Sequence, residues 1–164
     1  MNAAPRFSGE HVATLDPEGR ILLPMPLRNA FNPGREDRTL MANLEPEGCI
    51  ALREPERWTA YVDRLRARAS DAAASRRFLM YLAATSAGVK CDRQGRVRVP
   101  DGLLQKAGIE RAKGARSEVV LSGNFDDIRI WSPERWAAFE ADARAHFGAD
   151  LALLHAESVG ESTR

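Results

Sequence analysis

The sequence has few of the residues that serve metal binding, disulfide formation or membrane insertion. Its 164 residues include two cysteines and three histidines, and neither Cys49 nor Cys91 belongs to a Cys-x-x-Cys pair. No apolar run approaches the roughly 18 residues of a membrane span, and the N-terminus lacks the apolar core of a signal peptide. We therefore expect no metal, no cofactor and no membrane partner, with both thiols free and buried in strands of a soluble, cytoplasmic protein.

Recognisable catalytic motifs are also absent. The chain contains no Gly-x-Ser-x-Gly, P-loop, Rossmann glycine pattern or His-Glu-x-x-His. With 44% hydrophobic and 29% charged residues, it has enough apolar material for one domain, or two small ones that share a core. Its net charge of +1 means that a nucleic-acid binder of this composition must cluster its basic groups locally. A binding protein is favoured over an enzyme.

Two segments of the chain occur twice. Asp-Pro-Glu-Gly-Arg at 16–20 returns as Asp-Arg-Gln-Gly-Arg at 92–96, each time followed by a short strand and proline. Pro-Glu-Arg-Trp at 55–58 returns at 133–136. The offset changes from 76 to 78 residues, which indicates a small insertion in a loop. The chain is therefore two copies of one unit.

Each copy predicts the order strand, turn, strand, short helix, strand, strand, helix. The predicted strands are 10–15, 20–23, 39–44 and 49–52 in the first copy and 89–91, 96–99, 118–121 and 128–131 in the second. Short helices are expected at 25–31 and 103–107, and longer ones from Pro55, from near residue 70 and from Pro133. One unit has too few strands to bury both faces, whereas two packed together can.

The turns carry the candidate site. Aspartate can accept hydrogen bonds from the downstream backbone and glycine tolerates positive φ, so we expect tight turns built on Asp16, Gly19, Asp92 and Gly95. Strand alternation places Arg20 and Leu22 outward, and Arg96 and Arg98 likewise. Lys90 and Arg93 add positive charge near the second turn. Two interpretations stay open: arginines that only pair with the turn aspartates, or a surface that binds an anion such as nucleic acid.

Several motifs taken together resemble the MraZ family. They are Arg-Phe-Ser-Gly-Glu at 6–10, the two turns, the two Pro-Glu-Arg-Trp segments, Arg-Arg-Phe-Leu at 76–79 and Val-Val-Leu-Ser-Gly-Asn-Phe at 119–125. The resemblance implies a β-rich α+β fold, in which two tandem AbrB-like (SpoVT-AbrB) units form a pseudosymmetric swapped-hairpin β-barrel with flanking helices. The expected segments are AbrB-like units at 7–55 and 86–133, connecting helices at 56–85, a C-terminal helix at 134–147 and a flexible tail at 148–164.

The resemblance also implies a function. MraZ proteins are transcriptional regulators that assemble into ring-like homo-oligomers, bind promoter direct repeats in double-stranded DNA and usually repress their own division and cell-wall gene cluster. The DNA-contacting arginines of the family map onto Arg20 and Arg96, and the protein would be cytoplasmic and nucleoid-associated. Arg98, Lys90 and Arg93 are added from strand geometry and charge. The alternative is an AbrB-like protein-interaction scaffold or antitoxin-type module.

The chain departs from the usual family pattern at three places. Ser8 replaces a basic residue, the second turn is preceded by Cys91 and lacks a downstream counterpart of Arg28, and the loop at 32–38 is enlarged and polar. These departures concern the operator sequence and the equality of the two halves.

Overall fold

The computed structural model describes residues 6–31 and 38–161, with side chains to residue 157. Most of the predicted 32–38 loop therefore lies outside the described residues. The elements are, in chain order, β1 (Glu10–Leu15), β2 (Arg20–Leu22), α1 (Met25–Ala30), β3 (Thr39–Leu44), β4 (Ile50–Arg53), α2 (Pro55–Arg68), α3 (Ala73–Ala84), β5 (Ser86–Lys90), β6 (Arg96–Arg98), α4 (Asp101–Lys106), β7 (Ser117–Asn124), β8 (Asp127–Trp131) and α5 (Pro133–Glu161). Each predicted strand and helix has a counterpart at about the predicted place.

The eight strands form one antiparallel sheet in the order β5-β3-β4-β8-β7-β1-β2-β6. A bridge between Cys91 and Val97 connects the two end strands, so the sheet is a nearly closed barrel. Strand β1 of the first copy pairs with β7 of the second, and β5 of the second pairs with β3 of the first. This exchange confirms the swapped-hairpin α+β fold, and it explains why neither copy can build the barrel alone.

The strand registers are symmetric about two seams. At the first seam, Ile21 is opposite Val97, and these residues occupy equivalent positions in the two copies. At the second seam, Ala51 is opposite Arg129, again an equivalent pair. A pseudo-twofold relation therefore passes through the β2–β6 and β4–β8 pairs, and it places the two turns on the same surface.

Alternation along the strands fills the barrel with aliphatic side chains. Ile21 and Val97 at the first seam and Ile50, Leu52 and Ile130 at the second have no exposed surface. Burying each such side chain stabilises the fold by about 1.5–3 kcal/mol. Because odd and even positions point to opposite faces, the same register fixes which residues of β2 and β6 face solvent.

The second seam also contains a buried ionic network between the copies. Arg53 of the first copy contacts Glu45 at 2.8 Å and Asp127 of the second copy at 2.9 Å. Arg129 donates to Asp127 at 2.6 Å. Arg53, Glu45 and Asp127 are almost fully buried, so each charge depends on its partners for compensation. The network ties the two copies together at the seam away from the turns.

The last helix is longer than the sequence predicted. Helix α5 continues to Glu161, so the predicted end at residue 147 is wrong. Gly148 costs a helix about 1 kcal/mol relative to alanine, but the alanines and leucines that follow have high helix propensity and continue it. Side chains of residues 148–157 are all exposed. No helix in the described part of the chain is both long and apolar enough to cross a membrane.

Candidate nucleic-acid interface

The two repeated turns fold in the same way. In the first, the Gly19 amide donates to the Asp16 carbonyl at 3.0 Å, and in the second the Gly95 amide donates to the Asp92 carbonyl at 3.0 Å. The glycines have φ of +79° and +85°, a left-handed conformation that other residues rarely adopt. This arrangement is typical of a short hairpin loop that ends on a left-handed glycine. The next residue, arginine in both copies, begins a strand.

Each turn aspartate organises the arginine that follows it. Oδ1 of Asp16 accepts the amides of Glu18 and Arg20, and Oδ2 accepts Nε of Arg20 at 2.8 Å. Asp92 makes the same contacts with Gln94 and Arg96, also with 2.8 Å to Nε. Because the aspartate holds Nε, the guanidinium has a fixed orientation, and its two terminal nitrogens take no part in this contact. The arginines are therefore oriented by the turns, and pairing with aspartate does not use all of their donors.

The pKa values of the two aspartates are lowered. Partial desolvation opposes ionisation of Asp16, but hydrogen bonds from the backbone and side chain of Arg20 outweigh it and lower its pKa. For Asp92, the hydrogen bond from the Arg96 amide is the largest cause of the lowered pKa. Both carboxylates are charged at neutral pH, and the turns keep their geometry there.

The two arginines differ in their remaining donors. Nη2 of Arg20 contacts the Glu18 carboxylate at 2.5 Å, so two acidic groups surround this guanidinium. The equivalent position in the second turn is Gln94, which is uncharged. Within the described residues, the terminal nitrogens of Arg96 have no partner. The second turn therefore presents the less neutralised arginine, although both side chains are 35% exposed.

A row of positive side chains crosses the barrel next to the first turn. Arg98 of β6 is directly opposite Arg20 of β2. Because Cys91 pairs with Val97, the register places Lys90 opposite Arg98 on the other side. Lys90 and Arg98 are exposed and have no ionic partner within the described part of the chain. We call Lys90, Arg98 and Arg20 the cationic row.

The equivalent row next to the second turn has a different composition. Arg96 is directly opposite Leu22, an exposed leucine with 53% of its surface accessible. Because Leu15 of β1 pairs with Ile21 of β2, the antiparallel register places Thr14 opposite Leu22. We call Thr14, Leu22 and Arg96 the mixed row. Leu22 and Thr14 occupy the positions that Arg98 and Lys90 hold in the other copy, so the two halves of this surface are unequal.

Each turn is supported by the other copy. The Gly95 carbonyl accepts the amide of Leu23 at 2.9 Å, and the Gly19 carbonyl accepts the amide of Val99 at 3.1 Å. Arg28 of α1 lies over the second turn and donates to the Gln94 carbonyl at 2.5 Å. A side chain at Gly19 would meet Arg111 at 3.6 Å, so this arginine takes a comparable place at the first turn. The second copy lacks an arginine equivalent to Arg28. Its Arg111, which comes from a different position in the sequence, lies beside the first turn instead.

The sequence-predicted candidates form one surface. Arg20, Arg96, Arg98 and Lys90 all face outward around the β2–β6 seam, and Arg93 is exposed at the tip of the second turn. Sequence reasoning did not find Arg111, nor the pairing of Glu18 with Arg20. The Glu18–Arg20 pairing could have been predicted by aligning the two turns, because the first has Glu18 where the second has the uncharged Gln94. Within the described residues, no cluster of histidine, cysteine or acidic side chains is arranged to hold a metal ion.

The surface has the chemistry of an anion-binding interface. Positively charged groups oriented by rigid strands and turns are suited to phosphate contacts, and a guanidinium with two free nitrogens can also bind a guanine edge.

Comparison with known proteins agrees with the repeat structure. The chain matches the MraZ protein family, described also as antitoxin-like, over residues 6–81 and again over residues 80–153. These matches are longer than the predicted AbrB-like units because each includes the helices that follow.

Individual relatives match along most of the chain. A protein of Lactiplantibacillus plantarum is 32% identical over 89% of this chain and 95% of its own length. One of Thermomicrobium roseum is 30% identical over 89% of this chain and 94% of its own length. One of Heliobacterium modesticaldum is 28% identical over 84% of this chain and 88% of its own length. All three are named "Transcriptional regulator MraZ". With the tandem match and the duplicated turns, these similarities establish that the chain belongs to the MraZ family.

Proposed function

We propose that this protein is a sequence-specific, DNA-binding transcriptional regulator that represses its own division and cell-wall gene cluster. It would bind short direct repeats in the promoter as a ring-shaped homo-oligomer, in the cytoplasm and associated with the nucleoid. The observation that carries the proposal is the outward-facing surface of the β2–β6 seam, on which Arg20, Arg96, Arg98 and Lys90 converge. The names of its relatives support the same class of function.

The placement of the charges supports an anionic partner. Like charges directly opposite each other on a sheet are destabilising, and Arg20 and Arg98 are such a pair. Asp16 and Glu18 contact Arg20, but within the described residues no acidic group contacts Arg98 or Lys90. The negative charges of a phosphate backbone compensate the positive charges of such a row. Binding is further favoured because the DNA releases its condensed counterions. This explains a cluster of positive charge in a chain whose net charge is only +1.

The oligomer accounts for affinity. A subunit near neutral charge makes few phosphate contacts and binds DNA weakly by itself. When several subunits meet several repeats, each later contact becomes intramolecular, and avidity rises by roughly 10²-fold or more. The surface binds and positions DNA, and the proposal includes no catalytic step.

An AbrB-like interaction scaffold or antitoxin-type module is the second candidate. Its support is an apolar groove between α3 and α5 that is lined by Phe78, Tyr81 and Phe139, together with the antitoxin-like description of the family. A small toxin that co-purifies with the protein and occupies this groove would favour it. No residue that lines the groove belongs to either arginine turn, so the two candidates make separate predictions.

Mobility shifts with a fragment of DNA from upstream of the protein's own gene test the first candidate. Random DNA of the same length serves as competitor, and a salt series measures the phosphate contacts. Arg20→Ala and Arg96→Ala are compared with Arg144→Ala, an exposed arginine of α5 whose one ionic partner among the described residues is Glu140.

Arg96→Ala should weaken specific binding by at least about tenfold, because a bidentate base contact contributes about 1–3 kcal/mol and every subunit loses it. Arg20→Ala should also weaken binding, because every subunit loses a charge-assisted contact of that guanidinium. The Arg144 variant should bind like the wild type. Binding that random DNA competes away equally well, or turn variants with unchanged affinity, would refute the proposal.

A further inference from the structure

The two rows at the β2–β6 seam are equivalent in backbone and different in chemistry. Under the pseudo-twofold relation, Arg98 is equivalent to Leu22 and Lys90 is equivalent to Thr14. In one row, these positions carry two positive charges, and in the other a leucine and a threonine. Leucine and threonine carry no positive charge for a phosphate, so the two halves of the surface cannot make the same contacts with DNA.

We propose that the mixed row of Thr14, Leu22 and Arg96 reads base edges, with Leu22 contacting thymine methyl groups, whereas Arg98 and Lys90 of the cationic row hold phosphates. This inference rests on the proposed function and adds a division of tasks between the two halves of the DNA-binding surface. It assigns Leu22 as a residue that determines specificity.

The exposure of Leu22 supports an apolar contact. Its side chain is 53% accessible, and its neighbour across the strand pair is the positively charged Arg96. Transfer of this aliphatic surface from water to contact with a methyl group is favourable. In the major groove the C5-methyl group of thymine is the apolar feature that distinguishes it from the other bases. Thr14 adds a second methyl group beside Leu22.

The state of Arg96 supports base reading in the same row. Its Nε is held by Asp92 at 2.8 Å, while its terminal nitrogens have no partner within the described residues. This geometry leaves two parallel donors for O6 and N7 of guanine. Arg20, by contrast, has one terminal nitrogen engaged by Glu18. A guanidinium already engaged by carboxylates is better suited to a phosphate position than to bidentate base recognition.

The cationic row supports the complementary task. Arg98 and Lys90 are adjacent and exposed, and no acidic side chain among the described residues contacts either one. Two positive charges at neighbouring strand positions suit a phosphodiester backbone, which passes along the edge of the groove. Such contacts contribute affinity for any DNA sequence and no discrimination between sequences.

Replacing thymine with uracil tests the assignment, because uracil lacks only the C5-methyl group. The probes are the upstream fragment, the same fragment synthesised with uracil throughout, and random DNA of the same length. Each is titrated over a salt series with the wild type, Leu22→Ala, Val12→Ala and Arg98→Ala. Val12 is the matched control, since it is an exposed aliphatic residue of β1, 63% accessible and further from the turns. Leu22 and Val12 face outward, so neither replacement opens a cavity in the core.

The wild type and Val12→Ala should bind the uracil probe at least about fourfold more weakly than the thymine probe, which corresponds to one buried methyl group. Leu22→Ala should lose most of this preference. Arg98→Ala should keep the thymine preference, lose affinity equally for upstream and random DNA, and lower the salt slope by about 0.9 per bound subunit.

Two outcomes overturn the assignment: a wild type that does not distinguish the thymine and uracil probes, or a Leu22→Ala variant that distinguishes them as strongly as the wild type. Either leaves the proposed function standing if the wild type still prefers the upstream fragment to random DNA. If the wild type shows no such preference, the proposed function itself fails.

Discussion

Replacing Asp127 with asparagine is expected to destabilise the protein by about 3 kcal/mol. The Asp127 carboxylate accepts Nε of Arg129 at 2.6 Å and contacts Nη2 of Arg53 at 2.9 Å, and the residue is 3% exposed. Asparagine keeps the shape and one acceptor oxygen but removes the charge. Arg53 then keeps Glu45 at 2.8 Å, whereas the remaining acidic contacts of Arg129 are at 3.4 and 3.8 Å.

The magnitude follows from the cost of breaking a buried ion pair. Removing one partner of such a pair costs about 3–5 kcal/mol, because the other charge stays buried without compensation. The expected cost lies at the lower end of this range, because asparagine keeps one acceptor oxygen and both arginines keep contacts with other carboxylates. For a chain of this length, about 3 kcal/mol lowers the Tm by roughly 6–12 °C.

The matched control is the adjacent Asp126→Asn. The Asp126 side chain is 68% exposed and pairs with Arg57 at the surface, where an ion pair contributes about 0–1 kcal/mol. Thermal and urea denaturation, followed by circular dichroism at one fixed protein concentration, measures both variants. If Asp127→Asn and Asp126→Asn agree within about 0.5 kcal/mol, the buried network does not stabilise the seam and the reasoning is wrong.

Two further predictions concern the turns and the thiols. Gly19→Ala should cost about 1–2 kcal/mol for the left-handed conformation alone, and Gly95→Ala about 1 kcal/mol more, since its new methyl group meets Arg28. Denaturation of both variants, repeated with Arg28→Ala, measures this, and an excess that persists without Arg28 would contradict it. Burial raises the pKa of the Cys49 thiol to about 11. Its thiolate is therefore scarce at pH 8, and Cys49 should react with a thiol reagent only after unfolding; rapid labelling of the native protein at pH 8, located by mass spectrometry, would contradict this.

The local elements followed from the sequence because their causes are local. The turn aspartates form their hydrogen bonds within four residues, and the glycines supply a conformation that few other residues adopt. Strand alternation correctly predicted that Arg20 and Leu22 face outward while Ile21 is buried. Helix α5 extends past the predicted end at residue 147, because one glycine does not stop a helix when the residues beyond it favour helix.

The repeat itself determined that two equivalent units pack together, and the family resemblance supplied the barrel in which they exchange hairpins. Tertiary structure decided which residues of the two copies meet. Arg98 opposes Arg20 and Leu22 opposes Arg96 only because β2 pairs with β6 across the pseudo-twofold relation. The Arg53–Asp127 contact joins residues far apart in the chain, and no local pattern encodes it. Sequence periodicity specifies the face on which a side chain lies, whereas only the register between distant strands specifies its neighbour.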